Sequence, residues 1–247
     1  HYTLELADTV VARRYDSCLT GIELGKVVYN KDYILGKIKD IEGKLIVKEY
    51  PTKSASTNTL KTHLEKLVRR GEEIGMVIVD YGDLLRPVSI QKEKRNELES
   101  IYEEMRGIAQ IYGCPLWTAS QTNRSGKNAE LVTTEHISEA FNKCFVADFI
   151  FSLSRNNEDK VTDSGRIFIA KNRNGADGLT FPIHMTTKNV RIRVSNTQNL
   201  QGIVPQKSSD VVKQQAESLR EKYKKHRTSI MNKKKEKEEE MIRRKRH

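Results

Sequence analysis

Gly75–Leu85 reads "GMVIVDYGDLL". Met76–Val79 is an unbroken apolar run that opens after a glycine and closes on an aspartate. Apolar residues at consecutive positions, rather than alternating ones, mark a short strand buried on both faces, as in a parallel sheet. Open α/β sheets bind ligands beyond the carboxyl ends of their strands, so Asp80 stands where a ligand would be met. A carboxylate there can hold a magnesium ion, directly or through water, against nucleotide phosphates. The same pattern also fits a strand-end Asp that only caps a turn.

Working outward, Leu98, Ile101, Met105, Ile108 and Tyr112 recur at helical spacing up to Gly113, and "CPLWTAS" (Cys114–Ser120) follows as a strand. Strand, helix, strand is a βαβ unit. Upstream, Tyr2–Leu6 reads as a strand, Ala7–Leu19 as a helix, and "KLIVKEYP" (Lys44–Pro51) as a strand that stops at proline. "SASTNT" supplies N-cap candidates for a helix carrying Leu60, Leu64, Leu67 and Val68 up to Gly71. Downstream, Cys144–Ser154 reads as a strand, and "GRIFIAKNRNGADGLTFPIHM" as two strands joined by a Gly/Asn-rich turn. "VRIRV" (Val190–Val194) reads as an edge strand whose arginines point to solvent. The expected fold is α/β: a mostly parallel sheet flanked by helices, with a C-terminal β-hairpin. Residues 1–194 form this core, 195–209 a linker, and 210–247 a charged helical tail.

The tail dominates the charge balance. Residues 208–247 carry 14 Lys/Arg against 7 Asp/Glu, so most of the chain's net +11 lies there and the core is only mildly basic. Overall basicity is therefore weak support for a nucleic-acid partner. The three cysteines, Cys18, Cys114 and Cys144, are far apart and form no C-x-x-C, which argues against a disulfide scaffold or structural zinc and fits a reducing compartment. No apolar run approaches the length of a membrane span.

Other strand ends add chemistry to Asp80. Glu5 closes the first strand and Gln121 follows "LWTAS", so one sheet edge gathers two acids and an amide. Hydrolysis of a phosphoanhydride uses such a set: one carboxylate takes a proton from water, another anchors the metal, and a neutral amide senses the γ-phosphate. Lys171 and Arg173 flank one position of a strand, so both side chains leave the same face. They fit a solvated basic turn or an arginine finger on a neighbouring subunit's nucleotide.

"TLEL", "VIVDYGDLL", "TASQTNR", "VADFIFSLSR" and "IAKNRNGADG" occur in this order. Together they resemble the ATPase domain of replicative hexameric DNA helicases of the DnaB family, in a phage-like flavour, over roughly residues 1–194. The resemblance implies a RecA-like (P-loop NTPase) fold, ATP and Mg2+ as cofactors, single-stranded DNA as partner, a six-subunit homo-oligomeric ring, a primase or helicase loader as further partners, and a cytoplasmic setting in a bacterial cell or phage-infected host. It implies that Glu5 activates the attacking water, Asp80 positions magnesium as the Walker B aspartate, Gln121 senses the γ-phosphate, and Lys171 and Arg173 reach the adjacent subunit's ATP. Lys92, Lys94 and Arg95 lie in a loop that family members turn toward the DNA, and Arg124, Lys127, Glu139 and Lys143 are further DNA-contact candidates.

Two features depart from the family pattern. The chain has no G-x-x-x-x-G-K-[ST] segment, and the resemblance implies that this phosphate loop lies upstream of His1. In "HISEAFNKCFVAD", Ser138 and Phe141 replace an arginine and a glycine of the DNA loop while Glu139 is kept, which shifts phosphate contact to residues such as Lys143. A RecA-like recombinase, another DNA-stimulated ATPase, or a degenerate non-catalytic DNA-binding subunit are the alternatives to a helicase motor.

Overall fold

The computed structural model describes residues 1–123, 132–136 and 142–195. The linker, the charged tail, Arg124, Lys127 and Glu139 lie outside the described residues.

Strands β1 (Tyr2–Thr3), β2 (Lys48–Glu49), β3 (Val77–Asp80) and β4 (Leu116–Thr118) form a four-stranded sheet in the order β2-β1-β3-β4. Every pairing in it is parallel, with Thr3 opposite Asp80 and Val79 opposite Thr118. This register aligns the carboxyl ends of β1, β3 and β4 along one edge. Strands β5 (Phe149–Ser154), β6 (Ser164–Asn172), β7 (Thr180–Thr186) and β8 (Arg191–Val194) form a second sheet, antiparallel throughout. In the C-terminal part of the core, from Phe149 to Val194, the expected hairpin of β6 and β7 is thus flanked by β5 and β8 in a sheet of its own. Trp117 of β4 meets Phe149 and Phe151 of β5 edge-on, with ring centroids 6.2 and 6.0 Å apart, linking the two sheets.

Six helices accompany the sheets among the described residues: α1 (Asp8–Thr20), α2 (Lys31–Ile38), α3 (Thr57–Arg69), α4 (Lys94–Tyr112), α5 (Lys143–Val146) and α6 (Asn157–Val161). Helix α3 begins at a reciprocal capping box in which the Ser56 and Thr59 side chains satisfy each other's backbone N–H groups. Its Leu60, Leu64 and Leu67 face inward, whereas Val68 is exposed. Helix α4 buries Leu98, Ile101, Met105 and Ile108 and stops at Gly113 in the left-handed conformation. These two helices close a core with Tyr2, Leu4, Val77, Val79 and Leu85. None of the helices among the described residues is long and apolar enough to cross a membrane.

Three local expectations change. The first strand stops at Thr3 because its hydroxyl donates to Leu6 O (2.7 Å) and accepts from Leu6 N (3.2 Å), folding Leu4–Leu6 into a bend. Cys144–Val146 continue helix α5, so the strand expected over 144–154 begins at Phe149. Arg191 does not point to solvent: its guanidinium donates to Cys18 O (2.7 Å) and Leu19 O (3.2 Å), capping the last turn of α1. Gly21 ends that helix at φ 81°, and a Cβ there would lie 3.2 Å from the Arg191 guanidinium, so both conformation and space favour glycine.

Candidate functional site

The edge at the ends of β1, β3 and β4 gathers Glu5, Asp80 and Gln121. Leu4 N donates to Asp80 O (2.9 Å), so the chain passes directly from this rung to exposed Glu5. Tyr81, joined to Asp80 by a cis peptide, is the shared neighbour of the three. Gln121 Nε2 donates to the Tyr81 hydroxyl at 2.9 Å. Burial raises the Tyr81 phenol, and the carboxylates of Glu5, Asp83 and Asp80 raise it further. The Tyr15 phenol of α1 is raised by burial and then by Asp80, and its hydroxyl lies 3.0 Å from His1 Nδ1. Two acids and an amide around a neutral tyrosine can bind a metal-bridged phosphate chain and take a proton from water.

Among the described residues no group of three or more His, Cys, Asp or Glu forms a self-sufficient metal site. Magnesium does not require one, because it keeps several waters and takes one or two carboxylates together with substrate phosphates. Half-buried Asp80 at the end of β3 fits that role, and Glu5 is a second carboxylate close enough to act on the same Tyr81 phenol.

Behind this edge lies a buried polar network whose role the sequence reading missed. The turn after Tyr81, a short 3-10 segment Gly82–Leu84, carries Asp83. Asp83 accepts from the Tyr102 hydroxyl (2.9 Å) and from Lys143 Nζ (2.7 Å). Lys143 Nζ also donates to Ser120 Oγ (3.2 Å) and lies 5.4 Å above the Tyr102 ring. Its side chain is 3% exposed and that of Asp83 16%. Lys143 is therefore not offered to a DNA phosphate: the ammonium is drawn inward by a carboxylate, a hydroxyl and a ring face. Its placement beside "CFV", in an apolar context, was the signal available for burial. Gly82 fits here because a Cβ would lie 2.7 Å from Met105 Cε, and its N–H donates to Thr118 Oγ1 at 2.9 Å.

Lys171 and Arg173 do leave one face of β6, as the spacing implies, and both turn onto the end of α5. Lys171 Nζ donates to Cys144 O (2.6 Å) and Phe145 O (3.2 Å), satisfying helix-end carbonyls. Burial pulls its pKa down, and the Arg173 charge adds to this. Arg173 pairs with Asp148 and donates to Phe145 O at 3.4 Å. Arg106 donates to Val146 O (2.5 Å) and to Asp148 Oδ1 (3.0 Å). Burial pushes the Cys144 thiol up to about 11 against the pull of Lys171 and Lys143, which leaves it unreactive. Lys92, Lys94 and Arg95 are exposed where the connection from β3 enters α4.

The fold is that of a RecA-like α/β domain. The model of the DnaB-like helicase C terminal domain matches residues 22–193, and the chain belongs to that family. It is 28% identical over 189 residues to a DnaB-like replicative helicase of Enterobacteria phage T4, covering 71% of this chain and 39% of that protein. It is 25% identical over 138 residues to a probable replicative DNA helicase of Trieres chinensis, covering 51% of this chain and 30% of that protein. The chain thus spans well under half the length of these relatives. Among solved structures it is similar to an ATPase domain, with a TM-score of 0.66, 17% identity, and 79% of this chain and 73% of that one covered. It is likewise similar to a DnaB-like replicative helicase studied with primase, with a TM-score of 0.67, 16% identity, and 79% and 51% covered. The two structures support the fold.

Proposed function

We propose that this chain is the motor domain of an ATP-dependent replicative DNA helicase, hydrolysing ATP at subunit interfaces to move along single-stranded DNA. The observation that carries this reading is the convergence of Glu5, Asp80 and Gln121 on Tyr81 at one sheet edge. In the proposed mechanism the Glu5 carboxylate orients and deprotonates the attacking water. Asp80 would hold magnesium, which when bound would neutralise charge on the nucleotide's phosphates. Gln121 reports the presence of the γ-phosphate through its bond to Tyr81.

Arg173, the more exposed of the two hairpin cations, is the finger that completes a neighbouring subunit's site, and Lys171 holds α5 in place behind it. Lys92, Lys94, Arg95, Arg124 and Lys127 supply DNA-phosphate contacts, which are independent of base sequence and weaken with salt. Glu139 is proposed to order the DNA loop. A finger acting in trans requires a neighbouring subunit, for which the proposed assembly is a hexameric ring, and a primase or loader is the expected further partner.

The test uses the full-length protein, because residues 1–247 contain no G-x-x-x-x-G-K-[ST] segment. Hydrolysis of ATP is expected to require Mg2+, to rise with single-stranded DNA, and to vanish in Glu5→Gln while nucleotide binding persists. Wild-type turnover by Glu5→Gln would sink the assignment of the base. Electron microscopy with an ATP analogue should show closed rings, and filaments would instead favour a recombinase.

A further inference from the structure

Lys53 holds its backbone in the left-handed region, at φ 61°. That conformation crowds a Cβ and is the ordinary place of glycine. A turn alone would form more easily with glycine, so the reason for a lysine lies in what its side chain reaches. The Lys53 backbone N–H donates to Leu84 O (3.0 Å), and its ammonium donates to Asp83 O (2.7 Å) and Leu85 O (2.9 Å). One residue thus caps three successive carbonyls at the end of the turn that follows Asp80 and Tyr81. An ammonium suits this task because its three donors can meet diverging acceptors at once. The residues before it bind the neighbouring strand. Thr52 Oγ1 donates to Leu4 O (2.8 Å), directly before Glu5, and Tyr50 N donates to Thr3 O (3.0 Å). Leu4 N donates to Asp80 O (2.9 Å), which closes the circuit. Because β2 runs parallel to β1, this segment leaves β2 at the same edge as Glu5 and Asp80.

We propose that Thr52 and Lys53 form a strap that fixes the separation of Glu5 from Asp80, with Lys53 as a positioning residue for the proposed hydrolysis. This rests on the helicase reading above. Glu5 lies in the bend beyond Thr3, the last residue of β1, where the sheet ladder no longer sets its place. Asp80 is the last residue of β3, and the turn after it is held by Lys53. A base that takes a proton from water and an acid that holds the metal act around one phosphate group. A misplacement of about 1 Å between such groups can cost about 10²-fold in rate. Joining both segments to one strap removes that freedom.

The test is Lys53→Gly in the full-length protein. Glycine keeps the backbone N–H and relaxes φ, so the turn loses only the ammonium. The kcat for ATP hydrolysis is expected to fall by roughly tenfold or more. The fall should be equal with and without single-stranded DNA, and KM for ATP should stay unchanged. Lys53→Arg, which keeps a cationic donor, should recover most of the rate. A lysine that serves folding alone would lower the denaturant midpoint and leave kcat per folded molecule unchanged, and that outcome overturns the proposal. So does a raised KM with kcat intact, which would make Lys53 a nucleotide contact. A loss confined to the DNA-stimulated rate overturns it too, because Lys53 would then be a DNA contact. Should Lys53→Gly fail to fold, Thr52→Val decides. It keeps the side-chain shape and removes the hydroxyl bond to Leu4, so a lower kcat at unchanged KM supports the strap and an unchanged kcat overturns it. Full-length wild-type protein that does not hydrolyse ATP overturns the helicase reading itself, whereas wild-type hydrolysis with unaltered variants overturns the strap alone.

Discussion

Helix α5 is gripped at its two ends by ion pairs of opposite character. At its start Lys143 and Asp83 are 3% and 16% exposed. Just past its end Arg173 and Asp148 are 45% and 53% exposed. The first pair cannot open without stranding a charge in the interior. The second lies in water, where such a pair contributes about 0–1 kcal/mol and exchanges readily for another anion. One short helix thus has a fixed anchor toward the proposed nucleotide edge and a releasable one toward the proposed subunit partner. A finger that must leave its own chain to serve a neighbour can be held only by the second kind.

Arg173→Ala gives the sharpest contrast. In the assembled full-length protein it should lower DNA-stimulated hydrolysis by roughly 10³–10⁵-fold, the effect of losing an arginine finger. Nucleotide binding and melting temperature should change little. Normal turnover would remove the trans role and reduce Arg173 to a cap of α5. Lys143→Ala should do the reverse to stability: leaving Asp83 buried without its cation should cost about 3–5 kcal/mol in denaturant unfolding. A loss below about 1 kcal/mol, the range of exposed pairs, would erase the difference between the two ends.

The sequence made one half of this comparison legible and misjudged the other. The apolar run before Asp80, the helical spacing of Leu98–Tyr112 and the capping residues near Ser56 are local signals, and each element appears close to its expected bounds. The shared edge of Glu5, Asp80 and Gln121 was readable because parallel strands end on one side of a sheet. Lys143 was not. Whether a lysine faces a phosphate or a carboxylate depends on what the fold brings opposite it, and Asp83 lies 60 residues away in sequence. Arg191 shows the same limit, since alternation along β8 says nothing of the α1 carbonyls waiting beside it. Tyr81 lay in plain view in the opening motif, yet its place among Glu5, Asp80, Asp83 and Gln121 is a property of three strands together.

Gly82 tests whether the fixed end depends on close packing as well as on charge. With Met105 Cε 2.7 Å from the site of a Cβ, Gly82→Ala must displace either the Met105 tip or the turn that carries Asp83. A cost of about 1–3 kcal/mol is expected from such overpacking, measured as a lowered denaturant midpoint. A neutral result would mean that Met105 rotates away freely and the turn stays in place.

The smallest change is expected at the releasable end. Asp148→Asn removes the carboxylate that Arg106 and Arg173 share. Each exposed pair is worth about 0–1 kcal/mol, so the melting temperature should fall by no more than about 2–4 °C per pair. The kinetic consequence has the opposite sign. Freeing Arg173 from a contact of at most about 1 kcal/mol raises its undocked population by up to about fivefold, which sets the ceiling on any gain in DNA-independent hydrolysis by the assembled protein. A modest rise within that ceiling, abolished again in Asp148→Asn/Arg173→Ala, would establish Asp148 as the counter-ion that holds the finger back. A fall in hydrolysis would mean that Asp148 orders the hairpin for its work, and that the exposed end is as much an anchor as the buried one.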